Sequence, residues 1–143
     1  MLEPGPSRGL QGSDPLNGLT EKIIRCAIQV HRAVGPGLFE KAYKELMQIE
    51  FQEAGIRYEV EKRMPILYRG RTLDLGYQAD LVVEEQVIIE LKAVSQLLPV
   101  HEAQLIGYLR LANLEVGLLM NFNEPLLKNG IRRKFNTPRT PLP

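Results

Sequence analysis

The sequence predicts a mixed α/β domain in which an antiparallel meander of strands is extended by a helical crossover. Three observations predict it. Apolar residues recur at helical spacing through the early part of the chain, the period then shortens to two, and one proline-initiated helix separates the later strands. The length of 143 residues suits a single domain.

Residues 1–18 hold Pro4, Pro6 and Pro15 among glycines and read as a flexible tail. Residues 137–143, with Pro138, Pro141 and Pro143, read as a second tail, leaving 19–136 as the working domain. The first helix is expected from Leu19, with Thr20 as N-cap and Ile23, Ala27, Val30 and Val34 on its inner face. Gly35-Pro36-Gly37 stops it. A second helix is expected over 38–54, with Ala42, Leu46 and Ile49 inward and Gly55 as the C-cap. Residues 58–68 read as a strand bent near Pro65, and Arg69-Gly70-Arg71 as a turn. Residues 73–83 alternate apolar with polar and predict a long strand. The turn Glu84-Glu85-Gln86 leads into a strand over 87–94, Pro99 opens a helix to Ala112, and strands follow over 115–122 and 131–135.

Charge and cysteine content exclude several classes. Eighteen basic and 17 acidic residues leave a net charge of +1, which argues against binding nucleic acid or membrane by bulk charge. No apolar run approaches the ~18 residues of a membrane span, and the N-terminus lacks a secretory pattern. A soluble cytoplasmic protein is expected. Cys26 is the only cysteine, so there is no internal disulfide and no cysteine-rich metal cluster, and its apolar setting predicts a buried thiol.

The chemistry centres on Glu90-Leu91-Lys92. In a strand Glu90 and Lys92 share one face. If Val83 pairs with Val87 across a three-residue loop, Asp80 falls opposite Glu90, whereas a two-residue loop sends Glu90 to the other face. The three-residue loop is therefore expected, although it lacks the Gly or Asn that such turns favour. Two adjacent carboxylates call for a proton or cation between them, and a hard divalent ion suits them. Spacing alone is equally met by a buried ion pair with Lys92. Glu40 stands in the first turn of the second helix, and Gln104 and Tyr108 are four apart on one face of the Pro99 helix.

Asp80, Glu90-Leu91-Lys92, Gln104 with Tyr108, and an acid on an early helix together resemble the PD-(D/E)XK nuclease superfamily. The segments GPGLFEKAY, LDLGYQADLVVE, VIIELKAV, HEAQLIGYLRL and GLLMNFNEPLLKNGIRRK look like the GxxExxY protein family, whose motif here reads Gly37, Glu40 and Tyr43. Ala79 replaces the superfamily's usual proline before the aspartate. The resemblance implies a restriction-endonuclease-like core of order α-α-β-β-β-α-β, with a mixed sheet containing a three-strand antiparallel meander and helices on its faces. It implies Mg²⁺ (or Mn²⁺) as cofactor, held by Asp80 and Glu90, with Glu40 as a further metal residue. Glu40, Asp80, Glu90 and Lys92 would be catalytic, while Gln104, Tyr108 and Tyr43 would position substrate or brace the site.

DNA or RNA would be the substrate. Arg63, Arg69 and Arg71, with Lys128, Arg132, Arg133 and Lys134, form two basic segments suited to a phosphate backbone. Two functions are expected to compete: a metal-dependent nuclease, and a catalytically silent nucleic-acid-binding or scaffolding subunit of a repair, recombination or defence complex. The small size favours a homodimer or a larger complex.

Overall fold

The computed structural model describes residues 16–136. Two helices, α1 (Asn17–Val34) and α2 (Glu40–Ala54), precede β1 (Tyr58–Arg63), β2 (Ile66–Tyr68), β3 (Arg71–Leu73), β4 (Gln78–Val83) and β5 (Val87–Lys92). Helix α3 (Pro99–Ala112) then leads to β6 (Val116–Asn121), a 3-10 turn (Leu127–Gly130) and β7 (Ile131–Phe135). Strands β1-β4-β5-β6-β7 form one mixed sheet, and β2-β3 a separate hairpin. Only the β5–β6 pair is parallel among these strands, and α3 makes its crossover.

Strand β5 reads Val-Ile-Ile-Glu-Leu-Lys, and its first five residues are buried, as expected of a central strand covered on both faces. Val87, Ile89 and Leu91, with Leu118 and Met120, pack against Ile23, Ala27, Val30, Met47 and Phe51 of α1 and α2. Ile88, Val82 and Leu119 turn the other way, onto Leu105 and Leu109 of α3. Gly117 permits the close approach of α3, since a Cβ there would lie 2.7 Å from Leu105 Cδ1. The result is the α/β/α layering of a restriction-endonuclease-like fold. Cys26 is buried as expected, and burial pushes its thiol pKa up.

Several element boundaries are corrected. Helix α1 starts at Asn17, so Thr20 is not its N-cap. Thr20 lies buried inside the helix, its hydroxyl donating to the Asn17 carbonyl at 3.0 Å, because Leu16 and Leu19 pack on the core and draw the helix start back. Val34 ends the predicted α1 stripe exposed. In α2 the fully buried stripe is Tyr43, Met47 and Phe51; of the expected Ala42, Leu46 and Ile49, Leu46 packs half-buried on the core beside it. The aromatic and thioether side chains fill more of the space beneath the helix, and Ile49 is left exposed.

The expected strands over 58–68 and 73–83 are each broken. Pro65 lacks the N–H a continuous ladder needs, and the hairpin β2–β3 is pinched out between β1 and β4. Its two-residue loop is Arg69-Gly70, with φ of 50° and 78°, so Arg71 already belongs to β3. Leu73, Leu75 and Tyr77 alternate as a buried strand would, yet all three are exposed. Strand β5 ends at Lys92 and β6 spans Val116–Asn121, shorter than the expected 87–94 and 115–122. The first 15 residues and 137–143 lie outside the described residues, and with them most of the two expected tails.

Candidate active site

The β4–β5 ladder runs Val83↔Val87, Val82↔Ile88 and Leu81↔Ile89 across the three-residue loop. Carried one step further, this register sets Asp80 opposite Glu90. There the ladder stops and the side chains take over. The Asp80 N–H donates to Glu90 Oε2 at 2.9 Å, and the Leu91 N–H donates to Asp80 Oδ2 at 2.8 Å. Each carboxylate thus satisfies a backbone N–H on the opposite strand, in the gap where the two strands cease to pair.

The loop that sets this register adopts left-handed backbone at two glutamates, with φ of 52° at Glu84 and 57° at Glu85. Such conformations are costly for side-chain-bearing residues. Compensation comes from Arg57, whose backbone N–H and guanidinium donate to the Glu84 carboxylate at 2.8–3.0 Å.

Burial sets the electrostatics. Glu90 is 5 % exposed, and desolvation first, then the neighbouring Asp80 charge, push its pKa up to about 8. The Asp80 N–H bond, Lys92 and Lys44 pull in the opposite direction without cancelling it. Tyr108 is also buried, and desolvation followed by the Glu90 charge raises its pKa. Tyr108 therefore stands close enough to the acids for their charge to act on it. Gln104 Nε2 donates to the Tyr108 hydroxyl at 3.2 Å, and Tyr77 lies with its ring centroid 6.4 Å from that of Tyr108.

Helix α2 contributes from the other side. Glu40 is exposed, and its Oε2 accepts from the Ala93 N–H at 3.3 Å, just beyond Lys92. One turn along, Lys44 bridges Asp80 Oδ1 at 3.4 Å and Glu61 Oε2 at 3.0 Å. Burial alone would lower the Lys44 pKa, but the Glu61 and Asp80 contacts outweigh it and raise it.

Asp80, Glu90, Lys92, Gln104 and Tyr108 are therefore gathered at one end of the sheet, at the C-terminal end of β5. Glu40 reaches the same edge but does not complete a three-acid ligand set. Among the described residues no group of three or more His, Cys, Asp or Glu is placed to hold one ion. Glu40, the further acid that the resemblance implies for the metal, stands at this edge with its carboxylate accepting from the Ala93 N–H. Tyr43 is placed where it cannot touch substrate. It is fully buried, donates to the Gly35 carbonyl at 2.7 Å, accepts from the Leu38 N–H at 3.1 Å and stacks on Phe122 with centroids 4.5 Å apart. It fastens the α1–α2 loop, and its hydroxyl is fully engaged there.

The basic residues divide. Arg63 ends β1 opposite Gln78, at the acids' end of the sheet, where the hairpin carrying Arg69 and Arg71 follows it. Arg63 is paired with Asp74 at 3.1 Å. Strand β7 is at the opposite edge. Lys128 lies in the 3-10 turn ahead of it, near the end of β6 that carries Asn121, while Lys134 is opposite Gly117 and paired with Glu102. Arg132 bonds the Asn129 and Ile131 carbonyls, and Arg133 the Thr20 hydroxyl. The two basic segments thus occupy opposite edges and do not form one continuous surface; Arg132, Arg133 and Lys134 serve local structure.

Two residues at this end were not anticipated. Lys44 is one. Asn121 is the other: wholly buried, it accepts from the Val94 and Asn123 N–H groups and donates to the Val94 carbonyl, pinning the chain that leaves β5. Its signal was a lone amide ending an otherwise apolar strand.

The donor set suits a hard divalent ion, because two neighbouring carboxylates, one of them buried and hard to ionise alone, match the one or two that Mg²⁺ takes alongside water and phosphate oxygens. A family model of the PD-(D/E)XK nuclease superfamily matches residues 17–134. The chain belongs to that superfamily, whose nucleases generally use divalent metal ions and act on nucleic acid. No curated protein and no solved structure matches it. Among the described residues no helix is long and apolar enough to cross a membrane.

Proposed function

We propose that the protein is a divalent-metal-dependent nuclease of the GxxExxY type that hydrolyses phosphodiester bonds in DNA or RNA. The observation that carries this reading is the interlocked pair Asp80 and Glu90, with Lys92 on the same strand face as Glu90. Asp80 and Glu90 would hold Mg²⁺ or Mn²⁺, which when bound neutralises phosphate charge and lowers the pKa of water. Lys92 is the cation of the set: it orients the attacking water and offsets negative charge developing on the phosphate. Tyr108, steadied by Gln104, walls the face opposite β5. Arg69 and Arg71 on the β2–β3 hairpin meet the phosphate backbone, a contact that supplies affinity without reading sequence. A homodimer or larger complex in the cytoplasm would enlarge a surface that is small for gripping a duplex.

The test is cleavage of single- and double-stranded DNA and RNA with Mg²⁺ or Mn²⁺, compared between wild type and Lys92→Ala. Loss of at least about a hundredfold in Lys92→Ala is expected; equal activity overturns the reading. A silent binding subunit is the second reading. It is favoured by the same hydrogen bonds and by Lys44, which together satisfy both acids without an ion. Under it Asp80→Ala and Glu90→Ala lower the melting temperature, and Mg²⁺ never raises that of the wild type.

A further inference from the structure

We propose that Lys44 is a built-in counter-ion that a divalent ion must displace from Asp80, so that it sets the metal affinity of the site. This rests on the metal-site reading above and deepens it.

Asp80 has two carboxylate oxygens, and they are used differently. Oδ2 faces inward and accepts from the Leu91 N–H at 2.8 Å. Oδ1 is left to make outward contacts, and there the Lys44 ammonium stands at 3.4 Å. Glu90 Oε2 likewise faces the Asp80 N–H. An ion that takes Asp80 Oδ1 must therefore displace the Lys44 ammonium from it. The Lys44 side chain is 14 % exposed, so it is held and not waving in solvent.

A second acid makes displacement feasible. Glu61 Oε2 lies 3.0 Å from the same ammonium, closer than Asp80, and the Glu61 side chain is 56 % exposed. Glu61 sits at a left-handed kink, φ 53°, between the paired residues Val60 and Lys62. It has no share in the Asp80–Glu90 contacts. Lys44 can leave Asp80 and keep a charged partner, so a divalent ion exchanges with it at one carboxylate without stranding a buried charge. Glu40, one turn earlier on α2, is engaged with Ala93 and leaves Lys44 to these two acids.

The two contacts make opposite predictions, which a merely structural lysine would not. Lys44→Met removes the competing charge and its repulsion of the ion, so Mn²⁺ should bind about tenfold more tightly. Glu61→Gln removes the alternative partner, leaves Lys44 on Asp80 and should weaken Mn²⁺ binding about threefold. Lys44→Arg should stay near wild type. The measurement is Mn²⁺ titration of the full chain without nucleic acid, by calorimetry or by electron paramagnetic resonance of free Mn²⁺, with Asp80→Asn as reference. Opposite shifts in Lys44→Met and Glu61→Gln support the proposal. Mn²⁺ affinity in Lys44→Met equal to or weaker than wild type overturns it, while Asp80-dependent binding in the wild type would leave the metal site itself standing. Absence of saturable Mn²⁺ binding in every variant overturns both.

Discussion

Asp80 and Glu90 each accept a backbone hydrogen bond from the other's strand, at 2.8 and 2.9 Å, at the point where β4 and β5 stop pairing. The acids are structural groups as well as chemical ones. This dual use shapes what substitutions there will do.

The first prediction concerns pH. Glu90 has a folded pKa of about 8 against an ordinary value of 4.5, so the native state keeps a proton that the unfolded chain releases. That contribution is fully present below the ordinary value and is lost as pH rises towards and through 8. Metal-free protein should melt at a higher temperature at about pH 5 than at about pH 9. Glu90→Gln, which is neutral throughout, should flatten the slope; an unchanged slope in that variant would refute the assignment.

Tyr43→Phe removes the hydroxyl that joins Gly35 to Leu38 while keeping the ring on Phe122. A loss of about 1 kcal/mol in urea unfolding is expected, because a half-buried carbonyl and N–H both lose their partner. Mn²⁺ affinity should not change, since the hydroxyl faces the loop. A clear drop in affinity without loss of stability would return Tyr43 to the site.

Asn121→Ala should be the costlier change, at roughly 2–4 kcal/mol, since three backbone groups lose their partner at a fully buried position. Because the released chain follows Lys92, hydrogen exchange at Val94 should accelerate more than at Val87. Uniform acceleration across β5 would show that Asn121 stabilises the fold as a whole and does not anchor this segment.

Glu85→Gly should stabilise, by about 0.5–1 kcal/mol, because Glu85 holds φ 57° and glycine adopts that backbone freely. Glu84 is the poorer choice, since Arg57 uses its carboxylate. Destabilisation of the Glu85→Gly variant in urea would mean that the entropy gained by the unfolded state outweighs the relief of strain.

Much of this was legible in the sequence where a local rule set the answer. Helix α3 begins at Pro99 and ends before Asn113, which adopts the left-handed conformation such caps favour. The β4–β5 register followed from face parity and the need to put Asp80 and Glu90 together. The hairpin β2–β3 was obscured because Leu73, Leu75 and Tyr77 imitate a half-buried strand while standing in solvent. Lys44 was illegible for another reason. Its partner Asp80 is 36 residues away, and only the placement of α2 over the sheet brings them together. Periodicity reports which face a residue is on, not which distant residue that face will meet.

The three-residue connection from Val83 to Val87 has a consequence for how the chain can change over evolutionary time. Exposed hairpin tips usually absorb insertions and deletions with little effect. Here a change of one residue would shift the strand by one place and turn Glu90 and Lys92 to the opposite face, against α1 and α2. Length variation should accumulate instead in the β2–β3 excursion, whose ends can be rejoined without altering the parity of β4 and β5.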